Sequence, residues 1–253
     1  LQLGSGFVPS CIKWLEKRLL TLVELVMVSS LGFKESYYDD IYKGEVVFLE
    51  NLPKKEPWID FHKQYLDAHK GKESFTVGFI GALRYLPCIF QLIEAVEKLS
   101  PEVPVNVLFA GGSYPEDLKV IKSHITKPHL FRFIGPYVYG DEVAGLYSQI
   151  DLIYCVYDST IHNCRIAMPN KFYEAIITKI PIIVSSNTFL ASEVKRYGIG
   201  VSVESGNEDE LAELLLLALN NDSWYAKAQQ SLETLDYNDL YTSYENALHR
   251  ALM

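Results

Sequence analysis

From residue 75 onward, short apolar runs alternate with longer stretches in which apolar residues recur every three or four positions. The runs Phe75–Ile80, Val105–Ala110, Leu130–Ile134, Asp151–Val156, Ile180–Val184 and the segment around Gly200–Val203 read as strands. Between them, Leu86–Leu99, Glu116–His124, Asp141–Gln149, a segment starting at Asn170, and Leu190–Tyr197 read as helices. In the first of these helices, Ile89, Leu92, Ile93, Val96 and Leu99 share one face. Strand–helix alternation of this period predicts an α/β fold: a doubly wound, Rossmann-like parallel sheet with helices on both faces. The unbroken apolar character of Pro181–Val184 fits a strand buried on both sides. Beyond Asn207 the pattern turns helical, with Leu211–Leu219, Trp224–Leu235 and Leu240–Leu252 as the expected segments.

The first sixty residues do not complete this pattern. Ile12–Leu20 and Phe33–Tyr42 read as helices, and Leu25–Ser29 and Val46–Glu50 as strands. These elements amount to the closing βαβ of another α/β domain without its earlier strands. The polar stretch Pro53–Lys72, with five lysines, reads as a linker or hinge. The expected division is therefore a domain remnant over 1–52, a linker over 53–72 and a ligand-binding domain over 73–253. No internal repeat or low-complexity tract is present.

Composition narrows the function. A hydrophobic fraction of 49% with 22% charged residues is that of an ordinary folded protein. The net charge of −9 excludes a general nucleic-acid binder, because a phosphate backbone requires dense Lys and Arg. The four cysteines (Cys11, Cys88, Cys155, Cys164) have no metal or redox spacing. Cys88 and Cys155 lie in apolar runs and read as buried thiols of a reducing cytosol. None of the six histidines has metal-like spacing with another ligand. No segment reaches the roughly 18 uncharged apolar residues of a membrane span, since Leu15–Val28 is interrupted by Glu16, Lys17, Arg18 and Glu24. Asn221-Asp222-Ser223 matches a glycosylation sequon, a pattern short enough to occur by chance.

The richest chemistry lies in Pro169-Asn170-Lys171-Phe172-Tyr173-Glu174, placed between a loop and the buried strand that starts at Ile180. A helix beginning at Asn170 offers unpaired N–H groups and a positive dipole end to an anion. Lys171 adds a full positive charge there, a placement the dipole alone disfavours and a bound phosphate would offset. Glu174, one turn on, can accept two hydrogen bonds from a vicinal diol such as a ribose. Together they read as a nucleotide-diphosphate site.

Four stretches carry a family resemblance: Val77-Gly78-Phe79-Ile80-Gly81-Ala82-Leu83-Arg84-Tyr85, the strand ending Ala110-Gly111-Gly112, Phe133-Ile134-Gly135-Pro136-Tyr137, and Pro169–Glu174 followed by Ile180-Pro181. In this order they resemble the C-terminal, donor-binding half of a family-4 (group 1) glycosyltransferase of the GT-B architecture, with residues 20–53 similar to the end of the N-terminal domain. The resemblance implies a piece of a two-domain enzyme that moves a sugar from a UDP- or GDP-linked donor to a glycan or lipid-linked acceptor. Such transfer retains anomeric configuration, usually without a metal or other cofactor, in polysaccharide or lipopolysaccharide assembly. It also implies a cytoplasmic location, with peripheral membrane contact through the first domain.

Carried onto this chain, the resemblance assigns Glu174 to the ribose hydroxyls and Gly81 to the backbone approach of the sugar phosphate. It places Tyr137 and Val138 beside the base, Asn170 at the head of the phosphate-binding helix, and Arg84 and Lys171 against the departing diphosphate. Departures are also visible: Ile166 stands where the family often has a second Glu, Ala82 where its Arg usually follows the glycine, and Pro87-Cys88 where a Lys is expected. Two other readings share these residues, a nucleotide-sugar epimerase of the same architecture and a non-catalytic nucleotide-binding module. His162, Asn163 and Asp158 read as solvated loop residues, Gly111-Gly112 as a strand-end turn raised by its position, and the 17 tyrosines as packing groups for half-buried surfaces.

Overall fold

The alternating pattern folds as its period requires. The computed structural model describes residues 7–99, 103, 105–219 and 223–252; Asn221 and Asp222 of the sequon lie outside them. The first part comprises α1 (Phe7–Leu20), β1 (Leu25–Val28), α2 (Leu31–Phe33), a π-helical turn (Lys34–Tyr38), α3 (Asp39–Ile41) and β2 (Glu45–Phe48). A 3₁₀ turn (Glu56–Trp58) and α4 (Phe61–His69) follow. Then come β3 (Phe75–Ile80), α5 (Leu86–Leu99), β4 (Val105–Ala110), α6 (Pro115–His124), β5 (Phe131–Gly135), α7 (Tyr139–Tyr147) and β6 (Leu152–Cys155). The chain continues through α8 (His162–Ile166), α9 (Asn170–Thr178), β7 (Ile182–Ser185), α10 (Phe189–Tyr197) and β8 (Gly200–Val203), and ends in α11 (Glu208–Ala218), α12 (Trp224–Thr234) and α13 (Tyr237–Leu252).

The main sheet has six strands in the order β5-β4-β3-β6-β7-β8, every pair parallel. Alternate residues along each strand feed opposite cores, as the period of two demands. Ile153 and Cys155 pack with Tyr147, Phe172, Ile176 and Val194, on the face covered by α7, α9 and α10. Leu152 and Tyr154 pack with Ile89, Ile93, Leu211 and Leu215, on the face covered by α5 and α11. β1 and β2 form a separate two-stranded parallel sheet. It is tied to the larger body by the Ser30 hydroxyl, which donates to the Ile166 carbonyl at 2.6 Å, and by the Tyr241 hydroxyl donating to the Pro53 carbonyl.

Several expected boundaries move for identifiable reasons. Helix α7 starts at Tyr139 and not Asp141, because the Glu142 carboxylate accepts the Val138 N–H at 2.6 Å and closes the first turn early. The expected Phe33–Tyr42 helix is divided by the π-helical turn. The loop after β6 contains α8. The largest difference is the 53–72 stretch, which forms helix α4 where a linker was expected. Lys54, Lys63 and Lys70 are exposed while Trp58 and Phe61 are buried at 5% exposure, edge-on to each other, with Trp58 also against Tyr147. Polarity averaged over this stretch hides two aromatic anchors.

Asp151 fastens that segment to the amino ends of the strands. Its carboxylate accepts from Lys72 Nζ at 2.6 Å and the Thr76 N–H at 2.7 Å, and lies 2.8 Å from His69 Nε2. Asp151→Ala is expected to cost about 2–3 kcal/mol, because it strands a largely buried Lys72 and an unpaired N–H. Chemical denaturation measures it; a loss under about 0.5 kcal/mol would mean the network is incidental.

Candidate functional site

In an open sheet of this order, ligands bind outside the carboxyl ends of the strands where the winding reverses, here between β3 and β6. Three strand-end loops meet at that edge. The Gly81 N–H donates to the Ala110 carbonyl at 2.7 Å, the Gly111 N–H to the Gly135 carbonyl at 2.8 Å, and the Leu83 N–H to the Gly112 carbonyl at 2.9 Å. Gly81 has φ +137° and Gly111 φ +147°, a region side chains rarely adopt. A Cβ on Gly111 would stand 1.8 Å from the Gly81 carbonyl oxygen. Gly111 is therefore what permits the two loops to touch, a stronger role than a strand-end turn.

Across the crevice, α9 presents its N-terminus. Pro169 occupies the cap position with extended backbone and no side-chain cap bond; the Phe172 N–H donates to its carbonyl at 3.1 Å, which leaves the N–H groups of Asn170 and Lys171 without a partner inside the helix. The Lys171 ammonium reaches to Gly81: a Cβ there would lie 2.8 Å from Lys171 Nζ. The glycine loop and the lysine, 90 positions apart in sequence, thus form one positive pocket. Asn170 is engaged otherwise; its Oδ1 accepts from Asn51 Nδ2 at 2.8 Å, linking α9 to the segment that follows β2. Tyr137 is half-buried beside Lys171 and Glu174, and burial raises its phenol against the opposing pull of the ammonium. Val138 is 60% exposed next to it, a surface on which a flat base can lie.

Glu174 is only 4% exposed. The Tyr139 hydroxyl donates to its Oε1 at 2.6 Å, and the Tyr147 hydroxyl donates to its Oε2. Burial, then the Glu174 charge, pushes both phenols well above their ordinary range, so both remain donors. The expected free carboxylate is thus already doubly hydrogen-bonded. Neither tyrosine stood out in sequence. Tyr147 follows Val143 by four positions on the inward face of α7, a signal of burial and not of a polar partner.

Arg84 is exposed and lines a cavity of about 260 Å³ together with Tyr85, Cys155, Tyr157, Cys164, Ser185 and Thr188 among others. Tyr85 holds a left-handed φ of +60°, and its ring lies 5.7 Å from that of Tyr157. Its hydroxyl accepts from Cys164 Sγ at 3.4 Å. That bond, followed by burial, raises the phenol to about 12. Burial raises the Cys155 thiol to about 11. Asn163 also lines the cavity, His162 opens α8, and Asp158 Oδ1 accepts from the Thr160 N–H at 2.9 Å within its own turn. Among the described residues no three His, Cys, Asp or Glu side chains gather as a metal site, and no helix is long and apolar enough to cross a membrane.

The fold has counterparts among known proteins. Over its full length the chain is similar to sucrose-phosphate synthase from Thermosynechococcus elongatus, with a TM-score of 0.69, 17% identity, and 99% of this chain aligned to 63% of that one. HepE from Anabaena, determined in complex with UDP and glucose, aligns with a TM-score of 0.66 and 16% identity over 92% of this chain and 67% of its own. WaaG, a glycosyltransferase involved in lipopolysaccharide biosynthesis, aligns with a TM-score of 0.63 and 15% identity over 89% and 62%. At these identities the likeness is one of fold, and the chain spans less than two thirds of the sucrose-phosphate synthase. No curated protein is matched by sequence. The model of the family "Glycosyl transferases group 1" matches residues 63–234, a span holding Gly81, Arg84, Tyr137, Lys171 and Glu174. The chain belongs to the group 1 glycosyl transferases.

Proposed function

We propose that this chain is the donor-binding half of a retaining glycosyltransferase, which takes a UDP- or GDP-linked sugar and passes it to a glycan or lipid-linked acceptor. The observation that carries this reading is the meeting of Lys171, the glycine turn at Gly81 and the uncapped start of α9 at the β3/β6 crevice. A diphosphate placed there meets an ammonium, backbone N–H groups and a helix dipole at once. All three act most strongly on the charge that grows as the nucleoside diphosphate departs, which is the condition for speeding transfer. Arg84, lining the cavity, faces the sugar side of such a ligand. The acceptor hydroxyl attacks from the face the leaving group vacates, and closure of a partner domain excludes water, the competing acceptor. HepE in complex with UDP and with UDP-glucose supports a uridine donor, and WaaG, involved in lipopolysaccharide biosynthesis, supports a lipopolysaccharide setting.

Calorimetric titration with UDP and GDP tests this. One of them is expected to bind saturably. Lys171→Ala is expected to weaken that binding roughly tenfold, with a shallower salt dependence than the parent chain. Equal binding by the variant would remove Lys171 from the diphosphate, and binding of neither nucleotide would remove the donor reading.

A further inference from the structure

The carboxylate meant for the ribose is already occupied, and its two partners differ. Tyr147 is wholly buried on the inward side of α7 and donates to Glu174 Oε2. Tyr139 is the first residue of α7, only partly buried, and adjoins the Tyr137-Val138 surface, where the chain leaves β5 through Gly135 at φ +82°. Its hydroxyl stands 2.6 Å from Glu174 Oε1 in a partly buried bond, whereas that of Tyr147 is buried. A phenol hydroxyl donating to a carboxylate is the same interaction that a ribose hydroxyl would offer.

We propose that Tyr139 is a specificity-determining residue that occupies the ribose position in the empty site, and that its hydroxyl leaves Glu174 when a nucleotide binds. The proposal rests on the donor reading above. Binding then exchanges one hydroxyl–carboxylate bond for another. A ribonucleotide gains less from Glu174 than two new bonds would supply, whereas a sugar without 2′ and 3′ hydroxyls leaves the tyrosine in place. Tyr139 thereby sets the margin by which the site prefers ribose, and keeps Oε1 of the buried carboxylate partnered between ligands.

The test compares UDP and 2′,3′-dideoxy-UDP by calorimetry, with GDP and its dideoxy form run in parallel, on the parent chain and on Tyr139→Phe. In the variant the ribonucleotide is expected to bind roughly tenfold tighter, the value of one charge-assisted hydrogen bond. The dideoxy form should change less than about twofold. Tyr147→Phe, which removes a partner the ribose cannot replace, should show no such gain. If the parent chain binds a ribonucleotide and Tyr139→Phe binds it no better, the competitor role is overturned and the donor site stands. If neither protein binds any of the four ligands, both ideas fall. A measurement on the unmutated sequence stands beside these should the variant not fold. With fluorotyrosine incorporated, the resonance assigned to Tyr139 should shift on saturation with the ribonucleotide and hold its position with the dideoxy form. A resonance unmoved by both would overturn the exchange.

Discussion

Glu174→Ala is expected to weaken nucleotide binding by at least roughly thirtyfold and to lower stability in the same protein. The binding term follows from the loss of the acceptor placed to take the ribose hydroxyls, a net gain of one charge-assisted bond because the other replaces that of Tyr139. The stability term follows from Tyr147, whose hydroxyl is fully buried and donates to Glu174. Without the carboxylate that hydroxyl is left unpaired, at about 1–3 kcal/mol, beside a small void. Glu174→Gln separates the two. It keeps the volume and one acceptor oxygen, so it should hold most of the stability while losing roughly tenfold in affinity. Calorimetry with thermal denaturation on the three proteins reads both quantities. A destabilised Glu174→Ala that binds nucleotide like the parent would make Glu174 a core acceptor for the tyrosines and nothing more.

The second large effect is expected at a residue that touches no ligand. Gly111→Ala should cost about 3 kcal/mol or more, a fall of roughly 6–12 °C in the melting temperature for a chain of this size. Two causes add. The backbone angle of +147° lies where a side chain is strained, and the new Cβ would sit 1.8 Å from the Gly81 carbonyl oxygen. Backbone meets backbone there, so relief requires the β3 and β4 loops to part, which withdraws Gly81 from Lys171. Nucleotide affinity should therefore fall with stability. Gly112→Ala is the control: no heavy atom lies within 4 Å of a Cβ at that position, and its effect should stay within about 0.5 kcal/mol. Equal behaviour of the two variants would show that the contact between the loops is dispensable.

Much of the architecture could be read along the chain because the forces that shape it are periodic. Apolar runs such as Val105–Ala110 and Ile182–Val184 are buried on both faces, and the spacing of Ile89, Ile93 and Val96 marks a helix whatever surrounds it. Pro169–Glu174 announced a helix start with a lysine and a carboxylate. That Lys171 faces Gly81, 90 positions away in sequence, emerged only from the fold. Where averages were used, the reading slipped. The lysines of 53–72 outweighed Trp58 and Phe61, although burial is decided residue by residue and the two aromatics hold α4 against the core.

The sequence by itself determined the fold class and the strand–helix order, and marked the residues expected to meet a diphosphate, because each rests on local periodicity or on a short contiguous motif. Only the tertiary structure decided how those residues are partnered. Glu174 meets Tyr139 and Tyr147, 35 and 27 positions away, and Asn170 meets Asn51 across 119. A hydroxyl on a tyrosine has no sequence period, and which carboxylate it reaches is settled by how the helices pack.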